Sequence, residues 1–159
     1  MAGMLGVLEQ GQRAYAMGAA RVEAQQNARV ALTRLVADVR GAGGGSPGFD
    51  AISMAEPQRL VLHQDANGDG RVAGSRETVV WQLSGTTLRR AAGAGAQPVL
   101  DGVEHFALTY FDAADAATTS PAAVRSVGIT LTTRSQHARP PEARAATFVV
   151  ATRVRLRNR

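Results

Sequence analysis

The chain contains no cysteine among its 159 residues. That absence excludes disulfide bonds, thiolate zinc sites and cysteine nucleophiles, but it does not identify the compartment, because many exported bacterial proteins also lack cysteine. Aromatic residues make up only 4% of the sequence, whereas hydrophobic residues make up 45%. A hydrophobic core is therefore expected, and Val, Leu, Ala and Ile must fill most of it.

Lysine is absent as well, so all 18 basic residues are arginines, and the formal net charge is +5. Four of them alternate along the C-terminus, at Arg153, Arg155, Arg157 and Arg159. In a strand the first three share one face, because side chains alternate between faces. That face is either solvated or turned to an anionic partner, such as a neighbouring subunit's carboxylates, lipid head groups or nucleic-acid phosphates. No aromatic residue interleaves with the arginines, which argues against binding of single strands by base stacking. Any DNA binding is expected to be weak, independent of sequence and strongly salt-dependent.

A long hydrophobic run is also missing, since a membrane-spanning helix needs about 20 apolar residues. The run from Met1 to Leu8 stops at Glu9, and it lacks the basic region and cleavage site of a signal peptide. Its composition is that of the last turns of a longer apolar helix. We therefore expect the natural gene to begin upstream of Met1 and to encode about 12 to 25 further, mostly apolar residues.

Proline is absent from Met4 to Arg40, where helix-forming residues dominate, so the sequence predicts one continuous helix that ends in the glycine-rich segment 41–48. In its second half the apolar residues recur at helical spacing, which is typical of a helix packed on a sheet. These residues are Ala28, Leu32, Leu35 and Val39.

The first half of the predicted helix has few apolar positions: between residues 9 and 27 they thin to Tyr15, Ala19 and Val22. A helix of about 40 residues is roughly 60 Å long. A globule of about 115 residues has a radius of gyration of only about 13 Å. We therefore expect residues 1–27 to project from the domain and residues 28–40 to pack on the sheet.

After Gly48 the sequence changes to short β-rich runs separated by turn residues. Consecutive strands without intervening helices favour an antiparallel meander. The predicted class is α+β, with a helical unit at 1–42 and an antiparallel β-domain at 43–159. The seven predicted strands lie near residues 51–54, 59–63, 78–83, 87–90, 103–111, 124–133 and 147–156.

The segment that begins at Asp65 resembles the first half of an EF-hand calcium loop, because Asp65, Asn67 and Asp69 alternate and a glycine follows. The twelfth position, where a bidentate glutamate should stand, is an arginine, and Glu77 lies one residue further on. The alternative is a tight hairpin turn, because Asn-Gly and Asp-Gly are favoured turn pairs. Calcium, held by these four residues, is the one cofactor that the sequence suggests.

The segment Gly44–Gly48 has the letters of the G-x-S-x-G nucleophile elbow, with Ser46 at its centre. That chemistry requires a strand before the serine and a helix after it, whereas here a helix precedes it and a strand follows. His63, His105 and His137 have no second ligand at metal spacing. The sequence therefore predicts no catalytic residue and a protein that is not an enzyme.

Several stretches together carry a family resemblance: AQQNARVAL from residue 24 with the helix exit at 38–43, the loop 65–70 followed by ETVVWQL from residue 77, LRR from 88, LDGVEHF from 100, VGITL from 127 and RLRN from 155. They resemble the PilW-like minor type IV pilins and the related J-type pseudopilins of type II secretion. The resemblance covers nearly the whole chain and implies a pilin-like fold. The family's cleavage site, its N-terminal glutamate and most of its membrane segment find no match among these residues.

The resemblance implies a processed and methylated subunit that is anchored in the inner membrane, with a periplasmic domain, and that helps initiate assembly of a pilus or pseudopilus. Its partners would be other minor pilins or pseudopilins, the major pilin and the inner membrane. Tyr15, Ala19 and Val22 would then form the subunit interface. The alternative is a binding module at a pilus tip, either a calcium-dependent adhesin or a subunit that captures DNA through the C-terminal arginines.

Overall fold

The computed structural model describes residues 2–45, 48–74, 76–135 and 147–158. These residues form one long helix, a short 3₁₀ helix at Pro121–Ala123 and eight strands, so the predicted α+β class is confirmed. The long helix is α1 (Ala2–Gly41), and the strands are β1 (Ile52–Glu56), β2 (Arg59–His63), β3 (Thr78–Ser84), β4 (Thr87–Ala91), β5 (Ala96–Leu100), β6 (Val103–Phe111), β7 (Ser126–Arg134) and β8 (Thr147–Arg155).

The strands form two antiparallel sheets in which sequential strands are neighbours. β1 to β5 form a five-stranded sheet, and β6 to β8 form a three-stranded sheet. The predicted meander is therefore divided in two, and the division falls between β5 and β6. There Gly102 has a φ of 71°, a left-handed backbone conformation that glycine adopts without strain.

The sequence pattern did not predict β5, because proline stands in the middle of this strand. Pro98 cannot donate a hydrogen bond to a neighbouring strand, and such residues are confined to sheet edges and strand ends. β5 is the edge of the five-stranded sheet and pairs with β4. An edge strand has one side without a neighbouring strand, and Pro98 is tolerated there because no hydrogen bond is required of it. From the sequence alone, a proline at this position indicates a loop.

The packed face of α1 contacts β7 and β8 and consists mostly of small residues. Its buried members are Ala20, Ala24, Ala28, Ala31, Leu35 and Val39, whereas Leu32 is only partly buried. Burial thus starts nearer the N-terminus than the segment 28–40 that the sequence pattern marks. The reason is that β7 and the residues after it run along the helix: the Thr133 hydroxyl donates a hydrogen bond to the Ala24 carbonyl (3.3 Å), and the Ser135 hydroxyl donates one to Glu23 (2.9 Å).

One hydrophobic core joins the helix and both sheets. Trp81 from β3 and Phe106 from β6 are the largest side chains that are fully buried in it. Tyr110 ties the sheets together, because its hydroxyl donates a hydrogen bond to the Glu56 carbonyl at the end of β1 (2.6 Å). Burial raises the pKa of Tyr110, so the hydroxyl remains a donor throughout the physiological range.

A charged cluster fixes the end of α1 to the five-stranded sheet. The Asp38 carboxylate accepts hydrogen bonds from the Trp81 indole (2.7 Å) and from two nitrogens of Arg90 (2.7 and 2.9 Å). The hydrogen bond to Asp38 raises the pKa of Arg90. Because charge-assisted, two-point contacts of this kind are strong and directional, the cluster holds the last turns of α1 on the five-stranded sheet.

Candidate functional site

Tyr15, Ala19 and Val22 lie on the face of α1 that points away from the β-domain. At about 100° per residue these three positions fall within about 60° of one another, and the buried Ala24 and Leu35 lie on the opposite side. Tyr15 is 81% exposed and Val22 is 51% exposed. The predicted interface residues therefore share one face, and that face does not contact the domain.

Val30 extends this face toward the C-terminus, although the sequence pattern did not single it out. It is 68% exposed, and it lies two residues, about 200°, from the buried Ala28. The position of Val30 around the helix, away from Ala28 and Leu35, could have identified it as exposed. Tyr15, Ala19, Val22 and Val30 are called the exposed helix face below.

Residues 10–19 of α1 are exposed on nearly all sides. From residue 10 to residue 19 every side chain except that of Met17 is exposed. Within the described part of the chain, no helix combines the length and apolarity that crossing a membrane requires.

The second candidate site is the connection between β2 and β3, residues 64–77. The Gln64 amide donates a hydrogen bond to the Glu77 carbonyl (2.9 Å), which closes the base of this loop. The Asp65 amide donates to the Gly44 carbonyl (2.9 Å), so the loop is also joined to the segment that leaves α1. The loop therefore links the end of the helix to the first sheet.

The Asp65 carboxylate organises the first half of this loop. Its Oδ1 accepts the backbone N–H groups of Gly68 (2.7 Å) and Asp69 (3.1 Å), and its Oδ2 accepts that of Gly70 (2.9 Å). Gly68 and Gly70 have φ values of 79° and 77°, a conformation that side chains disfavour. The chain consequently wraps around the carboxylate instead of forming a two-residue hairpin turn.

Asn67 and Asp69 turn toward each other within the same loop. The Asn67 side-chain amide donates to the Asp69 carboxylate (3.0 Å), and the Asp69 amide donates to the Asn67 side-chain oxygen (2.9 Å). The Asp69 carboxylate also accepts the Arg71 amide (2.8 Å). Both side chains are therefore held by backbone contacts that leave further lone pairs on their oxygens.

Glu77 is the most unusual residue of the loop, because it is a carboxylate with only 2% exposure. Its Oε2 accepts the amides of Ala73 (2.9 Å) and Gly74 (2.5 Å). Its Oε1 is buried and has no hydrogen-bond partner among the residues that the structure describes. One carboxylate oxygen each of Asp65, Asp69 and Glu77 lie within 4.8 Å of one another. The structure thus brings together three of the four residues predicted to hold calcium, and the fourth, Asn67, is bonded to Asp69.

The C-terminal arginines do not form a uniform basic face. Val154 is buried and Arg153 and Arg155 are exposed, which is the predicted alternation, but β8 ends at Arg155, before Arg157. Arg153 is engaged within the chain: its guanidinium contacts Asp115 (2.5 Å) and stacks 3.9 Å from the centre of the Phe111 ring.

The surface beside Arg153 forms a cleft of about 390 Å³ with both signs of charge. Its lining includes Asp112 and Asp115 as well as Arg125 and Arg155. Asp112 and Asp115 therefore offset part of the positive charge. This reduces the potential that an anionic partner would meet, although Arg155 and Arg157 are exposed.

Of the residues weighed for catalysis, Ser46 and His137 lie outside the described residues. His105 is exposed, and His63 lies 2.9 Å from the Ser53 hydroxyl and 3.1 Å from the Thr78 hydroxyl. Burial lowers the pKa of His63, and Asp50 partly opposes that effect. In Ser-His hydrolases a carboxylate orients the histidine, and here a threonine hydroxyl occupies that position.

Comparison with known proteins bears on the architecture. No protein-family model matches the chain, and no curated protein matches it. Among solved structures it is similar to the type IV-like pilin TTHA1219 from Thermus thermophilus, with a TM-score of 0.51 and 15% sequence identity over 84% of this chain and 97% of that chain. The chain therefore has a type IV pilin-like fold, in which an N-terminal helix packs on antiparallel sheets, as predicted.

Proposed function

We propose that this chain, whose fold is that of type IV pilins, is a non-enzymatic minor pilin or pseudopilin of the PilW-like or J-type class. It helps initiate assembly of a type IV pilus or a type II secretion pseudopilus. The observation that carries the proposal is the exposed helix face, which presents the large hydrophobic side chains of Tyr15, Val22 and Val30 on the side of α1 that the domain leaves uncovered. The partners are the corresponding helices of other minor pilins or pseudopilins and of the major pilin.

Apolar side chains on an isolated helix favour a partner. Tyr15 exposes most of its surface, and Val22 exposes about half. Removing apolar area from water contributes about 25 cal/mol per Å² to the free energy of association. A second helix can cover these side chains by packing its ridges into the grooves between them. Aromatic residues such as Tyr15 contribute strongly to interfaces of this kind.

Two glycines beside this face support helix-to-helix packing. A methyl group added at Gly11 or Gly18 would meet no atom of the described residues, so the fold of the domain does not require glycine there. Glycine inside a helix costs about 0.5 to 1 kcal/mol relative to alanine. Both lie within about 60° of Tyr15 around the helix, where they leave room for side chains of a neighbouring helix.

In this role the chain is anchored in the inner membrane by an apolar helical segment and holds its β-domain in the periplasm before incorporation. The tip-binding alternatives rank second. DNA capture has the weaker support, since Arg153 is paired with Asp115 and the adjoining cleft is partly acidic.

The proposal is tested by deleting the gene in frame in the organism that encodes it. We expect surface filaments counted by electron microscopy, or proteins secreted through the type II pathway, to fall about tenfold or more, because initiation limits assembly. Expression of the intact gene in trans should restore them. Unchanged filaments and unchanged secretion in the deletion strain would contradict the assembly role.

A further inference from the structure

We propose that loop 64–77 is a calcium site in which the oxygens of Asp65, Asn67, Asp69 and Glu77 hold one ion. The proposal rests on the geometry of the loop and is independent of the assembly role. Its central observation is the buried Glu77 carboxylate, one oxygen of which has no hydrogen-bond partner among the described residues.

A buried polar atom without a partner is unfavourable, and a buried charge without one is more so. Glu77 has such an atom, and two further carboxylates, those of Asp65 and Asp69, lie close to it and repel its negative charge. None of the ion pairs among the described residues involves these three carboxylates. A bound cation supplies the missing partner and removes the mutual repulsion in one step.

The separations suit calcium. Calcium binds oxygens at about 2.3 to 2.6 Å, so two ligands on opposite sides of the ion are about 4.6 to 5.2 Å apart. One carboxylate oxygen from each of Asp65, Asp69 and Glu77 lies within 4.8 Å of the other two. One ion between them can therefore reach all three without a large rearrangement of the loop.

The donor set also favours calcium over other metals. It consists of carboxylate and amide oxygens, which are hard ligands, and zinc or copper would favour nitrogen or sulfur. Magnesium requires a near-ideal octahedron and gives up its waters reluctantly, whereas calcium accepts irregular arrangements of six to eight oxygens. An irregular loop with four side-chain donors meets the calcium requirement more easily.

The structure explains how Glu77 closes the shell from one position beyond that of an EF-hand glutamate. Its carboxylate folds back over the amides of Ala73 and Gly74. A methyl group at Gly74 would lie 2.8 Å from the Glu77 carboxyl carbon, so glycine is needed for this close approach. These contacts with Ala73 and Gly74 account for the position of the Glu77 carboxylate.

Calcium binding is expected to raise the melting temperature of the 159-residue chain. Sites in extracellular modules with few charged ligands bind calcium with a Kd on the order of 10⁻⁴ to 10⁻³ M. At ten times the Kd, a ligand that binds only the native state raises the melting temperature of a chain of this size by about 3 to 6 °C. Differential scanning calorimetry in excess chelator and in 10 mM CaCl₂ measures this rise, and 10 mM MgCl₂ should produce less than about half of it.

Glu77→Gln is the decisive variant, since glutamine keeps an oxygen for the two amides and removes the charge. Its melting temperature in chelator is expected within about 2 °C of the parent, and the rise with calcium should disappear. Asp69→Asn, at an exposed position, should weaken calcium binding about tenfold in isothermal titration, and it serves if the Glu77 variant does not fold.

Asp112→Asn is the matched control. The Asp112 carboxylate accepts the amides of Ala114 (2.8 Å) and Ala116 (3.0 Å), as Asp65 does in its own loop, but it lies outside the proposed site. This variant should keep the full calcium effect. An unchanged melting temperature of the parent in calcium, or a full rise retained in both Glu77→Gln and Asp69→Asn, would overturn the proposal.

Discussion

Replacing Val22 with glutamate is expected to reduce surface filaments, or type II secretion, about tenfold or more. Val22 lies at the centre of the exposed helix face and is half exposed in the isolated chain. In an assembled filament it would be covered by a neighbouring helix. Burying an uncompensated carboxylate there costs about 2 kcal/mol or more, and each 1.4 kcal/mol changes an association constant tenfold. The measurement is complementation of the deletion strain by the variant gene.

The same substitution at Val149 provides the control. Val149 lies on β8 and is 60% exposed, so it resembles Val22 in side chain and in accessibility but belongs to the β-domain. Both variants should keep the melting temperature of the parent, because neither valine contributes to the core. Val149→Glu should complement the deletion. If Val22→Glu complements as well as Val149→Glu does, the helix face has no role in assembly.

Replacing Trp81 with alanine is expected to lower the free energy of unfolding by about 3 to 5 kcal/mol. Trp81 has 0% exposure, and its indole donates a hydrogen bond to Asp38. The substitution therefore opens a cavity in the core that joins the helix to both sheets. It also removes one of the partners that hold the Asp38 carboxylate. For a chain of this size the melting temperature should fall by about 8 to 15 °C.

Circular dichroism during thermal or urea unfolding measures this loss of stability. Tryptophan fluorescence cannot be used for this variant, because Trp81 is the only tryptophan of the chain. Trp81→Phe keeps most of the volume and should lose about 1 to 2 kcal/mol, the part owed to the hydrogen bond and the smaller ring. Tyr15→Ala, at an exposed position, should change stability by less than about 0.5 kcal/mol. A loss below about 1 kcal/mol for Trp81→Ala would contradict the assignment of Trp81 to the centre of the core.

The elements with strong local signals were predictable from sequence. The long helix follows from an uninterrupted run of helix formers that ends in glycines, and seven strands follow from β-rich runs between turn residues. β5 was not predictable in this way, because Pro98 looks like a loop residue until the strand is known to be an edge. The division into two sheets also depends on contacts between distant residues, which no local pattern encodes.

The candidate surfaces were also predictable only where a local sequence pattern was sufficient. Helical phase was sufficient to place Tyr15, Ala19 and Val22 on one face. The burial of Ala20 and Ala24 was not visible, because alanine is common on both packed and exposed helix faces. The pairing of Arg153 with Asp115 joins residues from different loops and strands, so alternation alone suggested a free basic face.

The proposed calcium ligands were partly predictable from the sequence and partly visible only in the structure. The spacing of Asp65, Asn67 and Asp69 marked the loop, whereas the burial of Glu77 could only be found in the folded chain. A glutamate one residue beyond its usual position is a weak signal in sequence. In three dimensions it lies against the other carboxylates. Calcium binding itself stays a prediction.

Photo-crosslinking in intact cells can show whether the exposed helix face contacts another pilin-type subunit. A photoreactive amino acid is placed at position 22, or at position 149 as the control, in the organism that encodes the chain, and adducts are identified by mass spectrometry. Position 22 is expected to yield a covalent adduct with the N-terminal helix of another pilin-type subunit, and position 149 is not. Absence of any helix adduct at position 22, while filaments or pseudopili are being assembled, would contradict this expectation.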